Sequence, residues 1–177
     1  LEDNNDKEYF DWMHNDYLPF IQSKTGCLWA AHYKAGANEG TGMKTIVFLC
    51  VENSCRSQMA EAFGKMIDSN RYQFLSAGSK PSGNVNPKAI RSMSKIGYDM
   101  TDHRSKGISE LPQDGVDVMI SMGCGDACPQ IPAKIRSEWE IPDPKNMDKD
   151  DFKKIRDLIG RNVEKLIKHI DNNGSQN

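Results

Sequence analysis

Residues 44–63 read KTIVFLCVENSCRSQMAEAF, and this stretch decides how the chain folds. Its first part, from Thr45 to Leu49, is a short apolar run of the kind that forms a strand buried on both faces of a parallel sheet. After the polar loop that follows, apolar residues recur at helical spacing from Met59 to Ile67. The stretch therefore predicts a strand, a loop and a helix in immediate succession.

The same alternation of strand and helix continues towards the carboxyl terminus. Apolar runs predict further strands at residues 72–77, at 116–121 and, more briefly, at 135–141. Asn86, followed by proline, predicts a helix start, and a long amphipathic helix is predicted from Asp148. Because strands alternate with helices, we predict an α/β fold with a four-stranded parallel sheet flanked by helices on both faces.

Charge and composition divide the 177-residue chain near its first quarter. Residues 1–42 carry a net charge of −4 and residues 43–177 one of +2, with a glycine-rich, linker-like stretch at 36–42. We interpret 1–42 as an N-terminal extension and linker, either the tail of a preceding domain or an added sequence. Apolar residues between positions 10 and 21 have helical spacing. We predict that residues 43–177 form the folded domain.

Composition argues against several classes of protein. A net charge of −2 does not favour a nucleic-acid partner, since such proteins are usually strongly basic. The longest apolar run, residues 46–51, is far shorter than the roughly 18 residues that span a membrane, and the acidic N-terminus does not resemble a secretory signal. Five cysteines, an odd number, favour a cytoplasmic protein with working thiols over a disulfide framework.

The loop between the first strand and the first helix carries the chemistry. It has the pattern C-x5-R from Cys50 to Arg56. A loop that leads into a helix presents free backbone N–H groups and the positive end of the helix dipole, which together bind anions. A cysteine at its start has its thiolate stabilised there and becomes a nucleophile at neutral pH. The planar guanidinium of Arg56 suits a tetrahedral oxyanion.

The other residues of the loop suit the same role. Ser57 can hydrogen-bond the thiolate, and Asn53 tolerates the left-handed backbone that a tight cradle needs. The segment therefore predicts an oxyanion site. Its predicted residues are Val51, Glu52, Asn53, Ser54, Cys55, Arg56 and Ser57.

Residues 50–63 closely resemble the low-molecular-weight phosphatase fold family, and the resemblance extends over about residues 43–170. The stretch Gln58-Met-Ala-Glu61 is similar to the arsenate reductase branch, which is coupled to thioredoxin in many members, whereas the phosphatases usually have proline where Gln58 stands. The further matching segments are Ser76-Ala-Gly78, His103-Arg-Ser-Lys106 and Asp143-Pro144.

The resemblance implies roles for residues outside the loop. Asp143 is expected to be the general acid that protonates the leaving oxygen. Cys124 and Cys128 correspond to the two downstream cysteines of the reductase branch, although many members have a longer spacer between them. The implied reaction is attack of Cys50 on arsenate, release of arsenite by Cys124, and transfer of the disulfide to Cys124 and Cys128. Thioredoxin, or glutaredoxin with glutathione, is the expected reductant.

Two alternatives to arsenate reduction remain open from the sequence. One is hydrolysis of phosphomonoesters, especially phosphotyrosine, although this family's phosphatases place an aromatic residue after the Asp-Pro pair and Lys145 follows here. The other is a binding module in which Cys50, Cys55, Cys124 and Cys128 hold a zinc ion, with longer spacings than such sites favour. For the favoured interpretation we predict no metal ion and no cofactor.

Overall fold

The computed structural model of the chain describes residues 43–123 and 131–174. The extension at 1–42, Cys27, Cys124 and Cys128 lie outside these residues. The described elements, in chain order, are β1 Lys44–Cys50, α1 Arg56–Asp68, β2 Tyr72–Gly78, α2 Pro87–Ser94, a 3₁₀-helix Ile108–Glu110, β3 Val116–Ser121, β4 Ala133–Glu138 and α3 Lys149–Gly174.

The four strands form one parallel sheet in the order β2-β1-β3-β4, which confirms the predicted fold. Cys50 at the end of β1 is in register with Gly78 at the end of β2. Ser121 at the end of β3 is in register with both Leu49 and Glu138. All four carboxyl ends therefore lie along one edge, where ligands bind in sheets of this kind.

The central strand β1 is buried on both faces, because its apolar run serves two layers of the core. On one face, α1 lies over the sheet and contacts α3. The approach is so close that a Cβ atom added to Gly64 would lie 2.3 Å from Phe74 Cδ1. On the other face, Val47 and Leu49 belong to a cluster that the 3₁₀-helix and its neighbours complete. The remaining buried members of that cluster are Ala77, Leu111, Val116, Met119 and Ile131.

The helix starts follow the capping rules that the sequence indicated. The Asn86 side chain accepts a hydrogen bond from Lys88 N at 2.8 Å, and proline is the first residue of α2. Asp148 lies immediately before α3. Its carboxylate accepts from the backbone N–H groups of Asp150 and Asp151, in the first turn of the helix, each at 2.9 Å. These bonds satisfy donors that the first turn of a helix leaves without partners.

The fourth strand differs from its predicted bounds of 135–141. It covers Ala133–Glu138 instead. The chain turns away after Glu138, because Trp139 packs against Phe48 with ring centroids 5.8 Å apart and Ile141 N donates to Trp139 O at 2.9 Å. None of the helices in the described ranges has a stretch long and apolar enough to cross a membrane.

Candidate active site

The predicted nucleophile lies where β1 gives way to α1. Cys50 is the last residue of the strand, and its side chain is buried. Its Sγ atom lies 3.0 Å from Ser57 Oγ, in the first turn of α1. The predicted contact between the serine hydroxyl and the cysteine is therefore confirmed.

Asn53 organises the loop from its centre. It is fully buried and its φ angle is 47°, the left-handed conformation that the sequence predicted. Its Nδ2 atom donates to Ser57 Oγ and to Ser76 Oγ, both at 2.8 Å. Its Oδ1 atom accepts from Gln58 Nε2 and from Lys106 N, both at 2.7 Å.

These contacts fix the direction of each hydrogen bond. A backbone N–H can only donate, so the amide atom that faces Lys106 N must be the oxygen of Asn53. The amide nitrogen of Asn53 then donates to Ser57, and this leaves the hydroxyl hydrogen of Ser57 for the sulfur of Cys50. Ser57 is therefore oriented to stabilise a thiolate.

The backbone of the loop has its carbonyl groups turned outwards, to the segment that follows β2. Cys50 O accepts from Ser79 N at 3.3 Å, and Val51 O accepts from Lys80 N at 2.8 Å. Glu52 O and Ser54 O accept from the N–H groups of residues 82 and 86 at 3.1 and 3.0 Å. In a trans peptide the N–H points opposite to the C=O, so the following N–H groups face the interior of the loop. This is the geometry of an oxyanion cradle.

Arg56 links the cradle to the predicted general acid. Its side chain is only 9% exposed, and its Nη1 atom donates to Ile141 O at 3.1 Å. Its Nη2 atom lies 3.4 Å from Asp143 Oδ2. The structure thus brings Cys50, Arg56 and Asp143 to one edge of the sheet, as the sequence predicted. The carboxyl group of Asp143 is half exposed, so it can reach a bound oxyanion and exchange protons with water.

An ion pair that the sequence did not predict lies at the rim of the cradle. Lys145 Nζ is 2.6 Å from Glu52 Oε1, and Lys145 N donates to Asp143 Oδ1 at 3.1 Å. The hydrogen bond from Lys145 lowers the pKa of Glu52, and the same contact raises the pKa of Lys145. The pair joins the cradle to the loop that carries Asp143.

The two cysteines of the loop have different environments. Cys55 is buried at the position just before α1, and burial raises the pKa of its thiol to about 11. It therefore remains a neutral thiol at physiological pH.

Cys124 and Cys128 lie outside the described residues. The residues just before them lie beside the end of β1, because Met122 N donates to Leu49 O at 2.8 Å. A Cβ atom added to Gly123 would lie 2.9 Å from Arg56 Nη1.

A second layer of polar residues supports the cradle, and the sequence pattern alone did not reveal it. Gln58 is fully buried, and its Nε2 atom donates to Arg104 O at 2.8 Å as well as to the loop. Its Oε1 atom accepts from His103 Nδ1 at 2.8 Å, and His103 Nε2 accepts from the Tyr98 hydroxyl at 3.0 Å. Burial lowers the pKa of His103 and so favours the neutral ring, whose Nε2 atom can accept from the tyrosine hydroxyl. Two sequence signals pointed to this layer: the glutamine at a position where the family's phosphatases usually have proline, and the matching segment that begins at His103.

Comparison with known proteins places the chain in a family. The model of the low molecular weight phosphotyrosine protein phosphatases matches residues 45–176, which is most of the chain. The chain belongs to that family. Among its curated relatives, this family member is 40% identical over 131 residues to an arsenate reductase of Staphylococcus epidermidis, covering 72% of the chain and 98% of the relative. It is 41% identical over 126 residues to one of Bacillus cereus, covering 69% and 92%.

Solved structures agree with this assignment and with its reductase branch. An arsenate reductase in the phosphate-binding state superimposes with a TM-score of 0.67 at 36% identity, covering 72% of this phosphatase-family chain and 99% of the neighbour. A thioredoxin-dependent arsenate reductase of Corynebacterium glutamicum superimposes with a TM-score of 0.63 at 27% identity, covering 89% and 77%. The family that the loop sequence indicated is therefore confirmed.

Proposed function

We propose that the chain reduces arsenate to arsenite, with Cys50 as the nucleophile. The observation that carries the proposal is the Cys50 sulfur 3.0 Å from Ser57 Oγ, in a loop whose N–H groups face inwards and which Arg56 closes. Arsenate is a tetrahedral oxyanion like phosphate, so the cradle fits its charge and shape. The arsenate reductase names of the relatives at about 40% identity support the choice of arsenate.

In the first step, the Cys50 thiolate forms a sulfur–arsenic bond and one arsenate oxygen leaves as water. Asp143 supplies the proton for that oxygen, and its position 3.4 Å from the Arg56 guanidinium supports this role. Arg56 and the loop N–H groups bind the remaining oxygens. These groups stabilise the negative charge on the oxygens while the sulfur–arsenic bond forms.

In the second step, the Cys124 thiolate attacks the sulfur of Cys50. A Cys50–Cys124 disulfide forms, the sulfur–arsenic bond breaks, and its electron pair reduces arsenic from As(V) to As(III), which leaves as arsenite. Gly123 supports this step, since a Cβ atom there would lie 2.9 Å from Arg56 Nη1, so the residue before Cys124 is beside the cradle. The Cys128 thiolate then attacks Cys124, releases the Cys50 thiolate and leaves a Cys124–Cys128 disulfide.

An external dithiol protein completes the cycle by reducing that disulfide. The thioredoxin-dependent reductase among the structural neighbours supports a thioredoxin, and glutaredoxin with glutathione is the alternative donor. The cycle requires a compartment in which free thiols stay reduced, which is why we infer that the protein works in the cytoplasm.

Phosphomonoester hydrolysis is the second candidate, because Asp143 beside Arg56 would equally protonate an alcohol that leaves from phosphorus. The residues at the rim of the cradle favour arsenate, a small inorganic oxyanion, over an aryl phosphate. Lys145 follows the Asp-Pro pair and its ammonium group lies 2.6 Å from Glu52 Oε1. An aryl ring entering there would have to displace a charged pair, whereas an inorganic oxyanion would not.

The test is disulfide mapping by mass spectrometry after one equivalent of arsenate is added to fully reduced protein. We expect a Cys124–Cys128 disulfide with arsenate and none with phosphate. The Cys50→Ser variant should form no disulfide, and Cys27→Ser, which changes a thiol outside the matched family region, should behave as wild type.

The outcomes separate the candidates. A disulfide between Cys50 and Cys124 alone would retain arsenate reduction but remove Cys128 from the relay. Thiols that all stay reduced, together with hydrolysis of an aryl phosphate, would overturn the reductase proposal and support the phosphatase.

A further inference from the structure

Glu61 is a buried acidic residue that the proposed chemistry does not use. It lies on α1, under the oxyanion loop, and its side chain is 3% exposed. Lys106 Nζ is 2.9 Å from its Oε2 atom, and Lys65 Nζ is 2.6 Å from its Oε1 atom. Burial works to raise the pKa of Glu61, but the charge of Lys106 and hydrogen bonds from Lys65 and Ser76 outweigh it and hold the pKa below its ordinary value. The carboxylate is therefore ionised at neutral pH.

Hydrogen bonds connect this carboxylate to the nucleophile. The Ser76 hydroxyl donates to Glu61 Oε2, so its oxygen is left to accept from Asn53 Nδ2 at 2.8 Å. The second N–H of the same amide donates to Ser57 Oγ at 2.8 Å, and the Ser57 hydroxyl lies 3.0 Å from Cys50 Sγ. The ionised carboxylate can only accept, so it directs the Ser76 hydroxyl hydrogen towards itself, and the Asn53 amide, whose orientation Lys106 N fixes, donates to both serines.

Lys106 contacts this network at two points. Its ammonium group binds Glu61, and its backbone N donates to Asn53 Oδ1 at 2.7 Å. Its carbonyl oxygen accepts from Gly78 N at 2.9 Å, which fixes the residue to the end of β2. Its side chain is 18% exposed, so its ammonium group is largely removed from water.

We propose that Lys106 is a positioning residue for Cys50: its ammonium group keeps Glu61 an acceptor, and Ser76 and Asn53 thereby hold Ser57 against the sulfur. The proposal rests on the proposed function only in taking Cys50 as the nucleophile. Lys65 offers a matched comparison on the same carboxylate. It binds the other oxygen, its side chain is 39% exposed, and its bond does not involve the oxygen that Ser76 contacts.

The experiment compares Lys106→Met, Lys106→Arg and Lys65→Met. The first readout is the rate at which iodoacetamide alkylates Cys50 at pH 7, followed by peptide mapping. The second is the concentration of inorganic phosphate that protects Cys50 from alkylation. We expect Lys106→Met to slow alkylation about tenfold, as for loss of a charge-assisted hydrogen bond to a buried group. Phosphate protection should change less than twofold, because Arg56 and the loop N–H groups remain.

Two further results separate positioning from a general structural effect. Lys106→Arg should stay within threefold of wild type, and ammonium, which replaces the one missing atom, should partly restore alkylation in Lys106→Met but leave wild type unchanged. Lys65→Met should stay within twofold. If Lys106→Met reacts at the rate of Lys65→Met, or if its loss extends equally to phosphate protection, the proposal is wrong.

If Lys106→Met does not fold, the variant Ser76→Ala tests the proposal instead. This change breaks the link between Glu61 and Asn53 while it leaves both lysines in place, and we expect the same slower alkylation of Cys50. An unchanged rate there would overturn the proposal. Alkylation needs no arsenate, so failure of wild type to form a disulfide with arsenate would refute the proposed function without deciding the role of Lys106.

Discussion

Asn53 has a left-handed backbone conformation and a buried amide with four hydrogen bonds. Two substitutions of this residue should separate the energetic cost of backbone strain from the cost of the lost hydrogen bonds. Asn53→Ala and Asn53→Gly both remove the amide, which accepts from Gln58 and Lys106 and donates to Ser57 and Ser76. Each buried donor that loses its acceptor costs about 1–3 kcal/mol. We therefore expect both variants to lose at least about 1–3 kcal/mol in free energy of unfolding, since Lys106 N loses its acceptor whereas Gln58 Nε2 keeps Arg104 O and Asn53 O.

The two variants should nevertheless differ from each other. At a φ angle of 47° an alanine carries a penalty of about 1–2 kcal/mol that glycine does not. Glycine costs about 0.4–1 kcal/mol through the greater freedom of the unfolded chain. The difference leaves Asn53→Gly the more stable variant, by about 1 kcal/mol. Urea unfolding at pH 7 measures it, and alkylation of Cys50 should be slow in both.

Asn84 provides the control, because it is exposed and its φ angle is not positive. There the alanine variant should be more stable than the glycine variant, so the order of the two is reversed. If Asn53→Ala proves as stable as Asn53→Gly or more so, strain in the loop backbone is not part of what Asn53 relieves. If both variants unfold like wild type, the hydrogen bonds of the amide do not stabilise the fold.

Three further predictions follow from packing and ionisation. Gly64→Ala should lower the free energy of unfolding by about 1–3 kcal/mol, and with it the urea midpoint, because its Cβ would overlap the buried ring of Phe74. Gly107→Ala, whose Cβ would make ordinary contacts only, should change the midpoint little. Cys55, with a pKa of about 11, should have about a thousandth of its thiol ionised at pH 8, so mass spectrometry should find it unalkylated in the folded protein. Because burial lowers the pKa of His103, the unfolded chain binds the extra proton first as pH falls below about 6.5, and the stabilisation present above that pH is lost on acidification. Urea unfolding at pH 7.5 and 5.5 should show a smaller loss in His103→Gln than in wild type.

Each of these has a contrary outcome that the same assay reports. Equal midpoints for Gly64→Ala and Gly107→Ala would mean that α1 can move away from the sheet without cost. Alkylation of Cys55 at the rate of a free thiol would show that it is not held neutral by burial. An identical pH dependence in wild type and His103→Gln would mean that His103 titrates alike in the folded and unfolded chains.

The fold and the position of the loop from Cys50 to Arg56 could be predicted because their signals are local. The strand from Lys44, the loop and the helix from Arg56 are continuous in sequence, so apolar periodicity predicts the elements and the junction between them predicts the loop. The contact between Cys50 and Ser57 spans seven residues and follows from the same junction.

The supporting contacts could not be predicted, because they join segments that are distant in sequence. Lys106 meets Glu61 across 45 residues, and Lys145 meets Glu52 across 93. The periodicity of apolar residues gives no information about such pairs, and a lysine on a loop is ordinarily exposed to solvent. The end of the fourth strand also differs from its predicted position, because Trp139 packs against Phe48 and does not continue the strand.

The anchoring of Arg56 has a consequence for how the protein matures during synthesis. The arginine bonds Ile141 and Asp143, 85 and 87 residues later in the chain, whereas the backbone groups that hold the loop come from residues 79–86. Since translation proceeds from the amino terminus, the nascent chain contains Cys50 and the segment that holds its loop well before Asp143 and the anchor of Arg56 are synthesised. The contacts of Arg56 are therefore completed late, when the segment after the fourth strand docks.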